Sequence, residues 1–413
     1  MNSSSSSRWR RGAAAALLVA GIAAGAASMA QESVRPEIGK PLQAAQEMIK
    51  AGRYREALGK VREAEAAGAR NANETYLIER MRLAAASGAG DVETAARSFE
   101  ALSGSSRIQP AEKLKMIESI ASSYYRAQQY PKAMQWSQRY FREGGTSPAI
   151  RTMLIQSQYL SGDFAGATKE LVAEIQASER AGATPGEDRL KLLLNAASKQ
   201  GDNNAYVFAM ERLVTYYPKK EYWVDLLSRM QRKPGFSDRL SLDAYRLSLA
   251  TGSMSAAADF MEMAQLALQA DLASEGKVVI DKGIASGALT TGAQADRAKR
   301  LKALVDKKLA EDAASRAEDE KQAVAAKSGD ALVSLGMYSV YSGQAAKGVQ
   351  LMQQGIAKGG LKRPEDAKLH LGIAQLAAGD KARAQATFKT VQGTDGTADL
   401  ARLWALYARR GTA

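Results

Sequence analysis

Side chains that carry covalent chemistry are scarce here. The 413 residues include no cysteine and one histidine, His370. That excludes a thiolate nucleophile, a Cys-ligated metal centre and a disulfide framework. A lone imidazole also disfavours a His-based triad or a His-rich metal site. His370 sits in Lys368-Leu369-His370-Leu371-Gly372 with no nucleophile set beside it, and it reads as a structural histidine. Carboxylates are plentiful, at 44 Asp and Glu, so acid–base chemistry is not excluded by composition. The pair Glu118-Ser119 is the local candidate for it. There is no P-loop and no Gly-x-Gly-x-x-Gly opening a helix. The expectation is a chain with no metal, no cofactor and no catalytic residue.

The elements that would position any site show themselves by self-similarity. Gly379-Asp380 precedes Ala384-x-x-x-Phe388, and Gly343 precedes Gly348-x-x-x-Met352, with Leu371-Gly372 and Leu335-Gly336 upstream of each. The same frame runs through Gly52 with Ala57-x-x-x-Val61, and Gly90-Asp91 with Ala95-x-x-x-Phe99. It continues through Gln129-Tyr130 with Ala133-x-x-x-Ser137, and Gly162-Asp163 with Ala167-x-x-x-Leu171. Gly201-Asp202 with Tyr206-x-x-x-Met210 follows, closing on Tyr217-Pro218. Spacings of about 34 to 39 residues predict a helix, a turn stopped by Gly, and a second helix. The small residue lets two backbones approach, and the larger one, a turn further on, fills the groove.

These segments resemble the tetratricopeptide repeat, over most of residues 40–288 and 330–392. The resemblance implies an all-α, right-handed helical-hairpin solenoid whose neighbouring hairpins cover each other's apolar faces. It also implies a groove lined by the first helix of each pair. The inward positions are then Lys115, Glu118, Ser122 and Tyr125, followed by Thr152, Gln156 and Tyr159, and by Lys191, Asn195 and Ser198. A polar row with two tyrosines suits an extended protein or peptide ligand. In the C-terminal pair the same positions hold Met337, Val340, Ile373 and Leu376, which need a cover. Some lytic transglycosylases also join helical solenoids to a lysozyme-like domain. Here Glu118 falls inside a repeat helix, and no stretch is left over for such a domain. Glu56-Ala57-Leu58 likewise belongs to the repeat pattern, not to a signalling-enzyme signature.

Three segments lie outside the repeat. Residues 1–30 place Arg8, Arg10 and Arg11 before an apolar run, then Ser28-Met29-Ala30, the layout of a signal peptide cut after Ala30. That predicts a periplasmic protein, with no later transmembrane segment. Residues 290–329 are rich in alanine and mixed charge, with nine Lys or Arg and seven Asp or Glu over 291–328. They predict a long, partly exposed helix between an N-terminal block, 31–289, and a C-terminal block, 330–413. Within the first block Pro234-Gly235-Phe236-Ser237-Asp238 predicts a loop, with Ser237 or Asp238 capping the next helix. A further helix pair is expected over Ala256 to Gly283, with Met261 and Met263 in its first helix assigned to core, and Trp404 and Tyr407 are assigned to packing of a final capping helix. The formal charge of +13 becomes +10 without the leader arginines. A basic protein favours acidic envelope components, and no nucleic-acid motif is present. The function expected is an exported, non-enzymatic scaffold or adaptor of the bacterial cell envelope, serving assembly, export or energised transport. The alternative is a glycan- or peptidoglycan-binding or -processing envelope protein.

Overall fold

The computed structural model describes residues 34–409, so the leader assigned to residues 1–30 lies outside the described residues. Among the described residues there are twenty α-helices and no strand. They form two compact units. One holds the described residues up to Glu174 with Lys199–Gly201, and the other holds Ile175–Ser198 and the residues from Asp202 onward.

The first unit contains α1 (Pro36–Lys50), α2 (Tyr54–Glu65), α3 (Ala72–Ala89), α4 (Val92–Ser103), α5 (Pro110–Arg126), α6 (Tyr130–Arg142), α7 (Pro148–Leu160) and the first turns of α8 (Phe164–Arg180). The pairs α1/α2, α3/α4 and α5/α6 are antiparallel hairpins, and α1, α3, α5 and α7 touch in succession as one layer. The second unit contains α9 (Glu187–Gln200, less its last residues), α10 (Asn203–Tyr216), α11 (Lys220–Gln231), α12 (Ser241–Thr251), α13 (Ala257–Gln269) and α14 (Ala273–Ala285). It continues with α15 (Gly292–Ala325), α16 (Asp330–Tyr341), α17 (Ala345–Lys358), α18 (Pro364–Ala377), α19 (Lys381–Lys389) and α20 (Thr397–Ala408).

One local rule builds these hairpins. In eight of them a residue with positive φ stands five positions before the point where the second helix crosses the first. Those residues are Gly52, Gly90, Gln128, Gly162, Gly201, Asp271, Gly343 and Gly379. The crossing residues are Ala57, Ala95, Ala133, Ala167, Tyr206, Gly276, Gly348 and Ala384. All are buried, and so are Val61, Phe99, Ser137, Leu171, Met352 and Phe388 four positions on. Full burial of a side chain such as Phe99 contributes about 2–3 kcal/mol.

The Gly-Asp pair carries two instructions. Glycine takes the left-handed turn that ends the first helix, and aspartate caps the second. Asp91, Asp163, Asp202 and Asp380 accept from the backbone N–H three residues on, at 3.1, 2.9, 2.9 and 3.0 Å. Each cap contributes about 1 kcal/mol. The Asp271 hairpin, α13/α14, lacks glycine at the turn and lies where a further helix pair was expected, over Ala256 to Gly283.

The second unit closes on itself. Its last helix, α20, packs on α18 and α19 and also on α10 and α12, well over a hundred residues earlier in the chain. Trp404 stacks on Phe388 at 6.3 Å, while Tyr407 sets its ring edge-on to both Trp404 and Trp223. Arg239, in a short 3-10 turn at Asp238–Leu240, pairs with Asp366 and Asp395. Neither Ser237 nor Asp238 caps α12 as expected. The Ser237 N–H is taken instead by the Asp395 carbonyl at 2.9 Å, and Asp238 lies inside the turn. The 34-residue α15 packs on α13, α14 and α16 through residues including Ala298, Leu301 and Val305, with Leu304 exposed. Met261, Met263, Met337 and Ile373 are all buried in this unit.

Candidate functional site

The predicted groove residues of the first unit lie on α5 and α7. Helix α5 begins at Pro110 and turns Met116, Ile117, Ile120, Ala121 and Tyr124 into the core. The remaining face carries Lys115, which is exposed, and Glu118, Ser122 and Tyr125, which are half-buried. Helix α7 is capped by Ser147 and buries Ile150, Leu154 and Ile155. Its complementary face presents Thr152, Gln156 and Tyr159, all half-buried.

Two of these residues meet across the helices. The Tyr125 hydroxyl donates to Gln156 Oε1 at 2.8 Å. The Tyr125 ring sits edge-on to Tyr130, with centroids 5.7 Å apart, and burial followed by that neighbour pushes its phenol up. Tyr159 packs edge-on to Phe164 at 5.5 Å, and the Lys199 ammonium lies 5.3 Å above the Phe164 ring. The strip therefore offers amide, hydroxyl and aromatic groups on two touching helices. Glu118 is held mid-helix between Ile117 and Ile120, the position of a solvated repeat residue.

The third predicted row lies in the second unit. Lys191, Asn195 and Ser198 share the exposed face of α9, opposite Leu190, Leu193, Ala196 and Ala197. Lys191 pairs with Glu187 at 3.0 Å. Glu187 also accepts from Lys219 at 2.6 Å and from the Tyr222 hydroxyl at 2.5 Å. Hydrogen bonds from Lys219, Tyr222 and Lys191 hold its carboxyl down at about 2.

The structure also assembles a buried polar cluster that the repeat pattern does not foretell. Arg246 on α12 donates to both oxygens of Glu275 on α14, at 2.7 and 2.6 Å, and to Asp243 at 2.6 Å. His370 Nε2 on α18 lies 2.9 Å from the same Asp243 oxygen and 3.2 Å from Arg246 Nη1. The Tyr341 hydroxyl on α16 bonds Glu275, and burial together with that carboxylate pushes the phenol far up. Burial opposes ionisation of Asp243, yet His370 and Arg246 hold its carboxyl well below the usual range. Four helices are thus pinned by one charge network. The available signal was Asp243 and Arg246 standing on a stripe with Leu242 and Leu247, where a charge must find a partner.

Among the described residues, no group of three or more His, Asp or Glu side chains is placed to hold a metal ion. None of the described helices is long and apolar enough to cross a membrane. With the left-handed turns, the buried small residues at the crossings and the layered first helices established, the fold class is settled. The chain is an all-α, tetratricopeptide-like helical-hairpin solenoid.

No family model matches the chain, and no curated protein matches its sequence. Among solved structures it is similar to yeast Tom70, at 11% identity and a TM-score of 0.25, over 90% of this chain and 95% of that one. It is also similar to a chain of the Naa15/Naa10 structure bound to HypK-THB, at 13% identity and a TM-score of 0.27. That match spans 86% of this chain and 58% of the other. The fold assignment rests on the hairpin geometry of this chain itself.

Proposed function

We propose that the protein is an exported, non-enzymatic scaffold of the bacterial cell envelope, which holds a protein or peptide segment along the face carrying Tyr125, Gln156 and Tyr159. The observation that carries this reading is the hydrogen bond from Tyr125 to Gln156, which ties the first helices of successive hairpins into one polar, aromatic strip. Such a strip complements an extended backbone through amide and hydroxyl groups, while its rings receive apolar side chains. Lys191, Asn195 and Ser198 form a second row, exposed and polar, on α9. In this reading residues 1–30 are the address label, the mature protein is periplasmic, and the repeat blocks 31–289 and 330–413 flank the charged helix at 290–329. The process served is envelope assembly, export or energised transport.

The test is capture from envelope extracts, followed by rebinding of each identified partner in purified form. Tyr159→Ala and Gln156→Ala are expected to weaken a specific partner without unfolding the chain. If every partner binds both variants as well as the parent, the reading fails. The second reading, a glycan-binding envelope protein, is supported by the basic balance, +13 for the whole chain and +10 without the leader arginines. It predicts salt-sensitive sedimentation with purified cell wall. Loss of cell-wall turnover in Glu118→Gln would instead point to glycan processing.

A further inference from the structure

Where α20 packs against α10, beside α11, the second unit contains a cleft of about 760 Å³. The sequence-predicted groove does not include it. The size is that of a ligand site. Its floor is apolar, formed by Phe208 of α10, Leu226 and Met230 of α11, and Leu403 of α20. Its rim is cationic, with Arg229, Arg232 and Lys233 at the end of α11 and Arg402 on α20.

Two carboxylates also line it, and both are already engaged. Glu211 pairs with Arg402, while Asp399 accepts from Lys233 at 2.7 Å and from Arg402 at 3.3 Å. The Arg229 guanidinium carbon lies over the Tyr206 ring, 3.5 Å from its centroid, and the side chain reaches Asp225 at 3.3 Å. The side chain of Tyr206 itself bonds Asp225. Tyr206 occupies the crossing position that holds alanine or glycine in the other seven hairpins, and it positions Arg229. Arg232 is exposed, donates to the Ser228 carbonyl at 3.2 Å, and has no carboxylate partner among the described residues. The lining therefore holds two more cations than carboxylates. Asn203 and Asn204 complete the rim with exposed carboxamides, each both donor and acceptor. That pairing of donor and acceptor matches a peptide backbone, whereas an acyl chain has nothing to offer it.

We propose that this cleft binds an acidic peptide segment of a partner protein, in which apolar residues seat on Phe208, Met230 and Leu403 and carboxylates meet Arg229 and Arg232. Charge-assisted bonds to arginine supply orientation, and the apolar floor supplies buried area. The site lies on other elements than the Tyr125–Gln156 strip and does not rest on it.

The experiment uses the full chain and a dye-labelled peptide of alternating leucine and glutamate, read by fluorescence anisotropy. Binding is expected to fall with salt and to weaken at least about tenfold in Arg232→Glu, the usual scale for reversing an interfacial charge. Phe208→Ala is expected to weaken it as well. The matching leucine–glutamine peptide is expected to bind at least about tenfold less tightly than the glutamate one. Equal binding of the two peptides overturns the proposal, as does an equal loss in Arg55→Glu, a charge reversal in the first unit. Displacement of the peptide by decanoate at its own affinity would assign the cleft to lipid-like acids and overturn it too. Each of these results leaves the first-unit strip untouched.

Discussion

Arg246 and Glu275 meet through two parallel hydrogen bonds of 2.7 and 2.6 Å, with neither side chain more than 2% exposed. A buried pair of this kind contributes little against an apolar substitute, yet it is costly to break on one side. Glu275→Leu and Arg246→Met are each expected to destabilise the protein by about 3–5 kcal/mol. The double variant Arg246→Met/Glu275→Leu is expected to recover part of that loss. Urea unfolding of the four proteins measures the cycle, and additive single losses would mean the pair is not coupled.

Gly336 and Gly348 bring α16 and α17 into backbone contact. A Cβ on Gly348 would lie 2.6 Å from the Gly336 carbonyl oxygen, and one on Gly336 would lie 2.8 Å from that of Gly348. Gly348→Ala is therefore expected to cost about 1–3 kcal/mol as overpacking. The helical Gly59 has nothing within 4 Å of its would-be Cβ. Gly59→Ala is expected to stabilise by about 0.5–1 kcal/mol. Thermal melts of the two variants should shift in opposite directions.

Gln128 occupies a left-handed turn at φ 58°, where most of the other hairpins use glycine. A side chain there costs roughly 1 kcal/mol, since Cβ crowds the following carbonyl. Gln128→Gly is expected to raise the melting temperature of the first unit. A fall in its denaturation midpoint would show that the Gln128 side chain contributes more than its backbone strain costs.

Glu74 is held down at about 2, below the ordinary 4.5, first by the side-chain hydrogen bond from Arg35. Its carboxylate also completes a capping box with Asn71 at the start of α3. A depressed folded value stabilises the fold fully above the unfolded value. That contribution is lost as pH falls from 4.5 toward 2. Glu74→Gln is expected to flatten the acid limb of the stability profile in that window and leave neutral-pH behaviour of the other carboxylates unchanged. A titration of unfolding against pH, with an unaltered slope in the variant, would rule this out.

Much of the fold was legible in the sequence because its signals are local. Gly-Asp at the turn, the small residue five positions after the glycine and the larger one a helical turn later are short-range requirements. They placed seven hairpins in register, the Gln128 one without a glycine at its turn. The Asp271 hairpin carried the same geometry with a non-glycine turn, and it was expected as a helix pair over Ala256 to Gly283 without a turn position. Within the predicted groove, helical spacing put Tyr125 and Gln156 on like faces. Their hydrogen bond depended on how far apart α5 and α7 settle, a packing distance that no single repeat encodes.

What the sequence determined alone was the helix–turn–helix grammar, the absence of thiol chemistry and the faces that must be covered. Each follows from backbone sterics, composition or periodicity within some forty residues. Tertiary structure decided which distant helices do the covering. The return of α20 to α10 and α12, the convergence of Asp243, Arg246, Glu275, Tyr341 and His370, and the cleft beneath Arg229 and Arg402 all join residues more than twenty positions apart. Buried charges must find partners and apolar faces must find neighbours, but many folded arrangements meet those demands. Only the summed packing of the whole unit selects one.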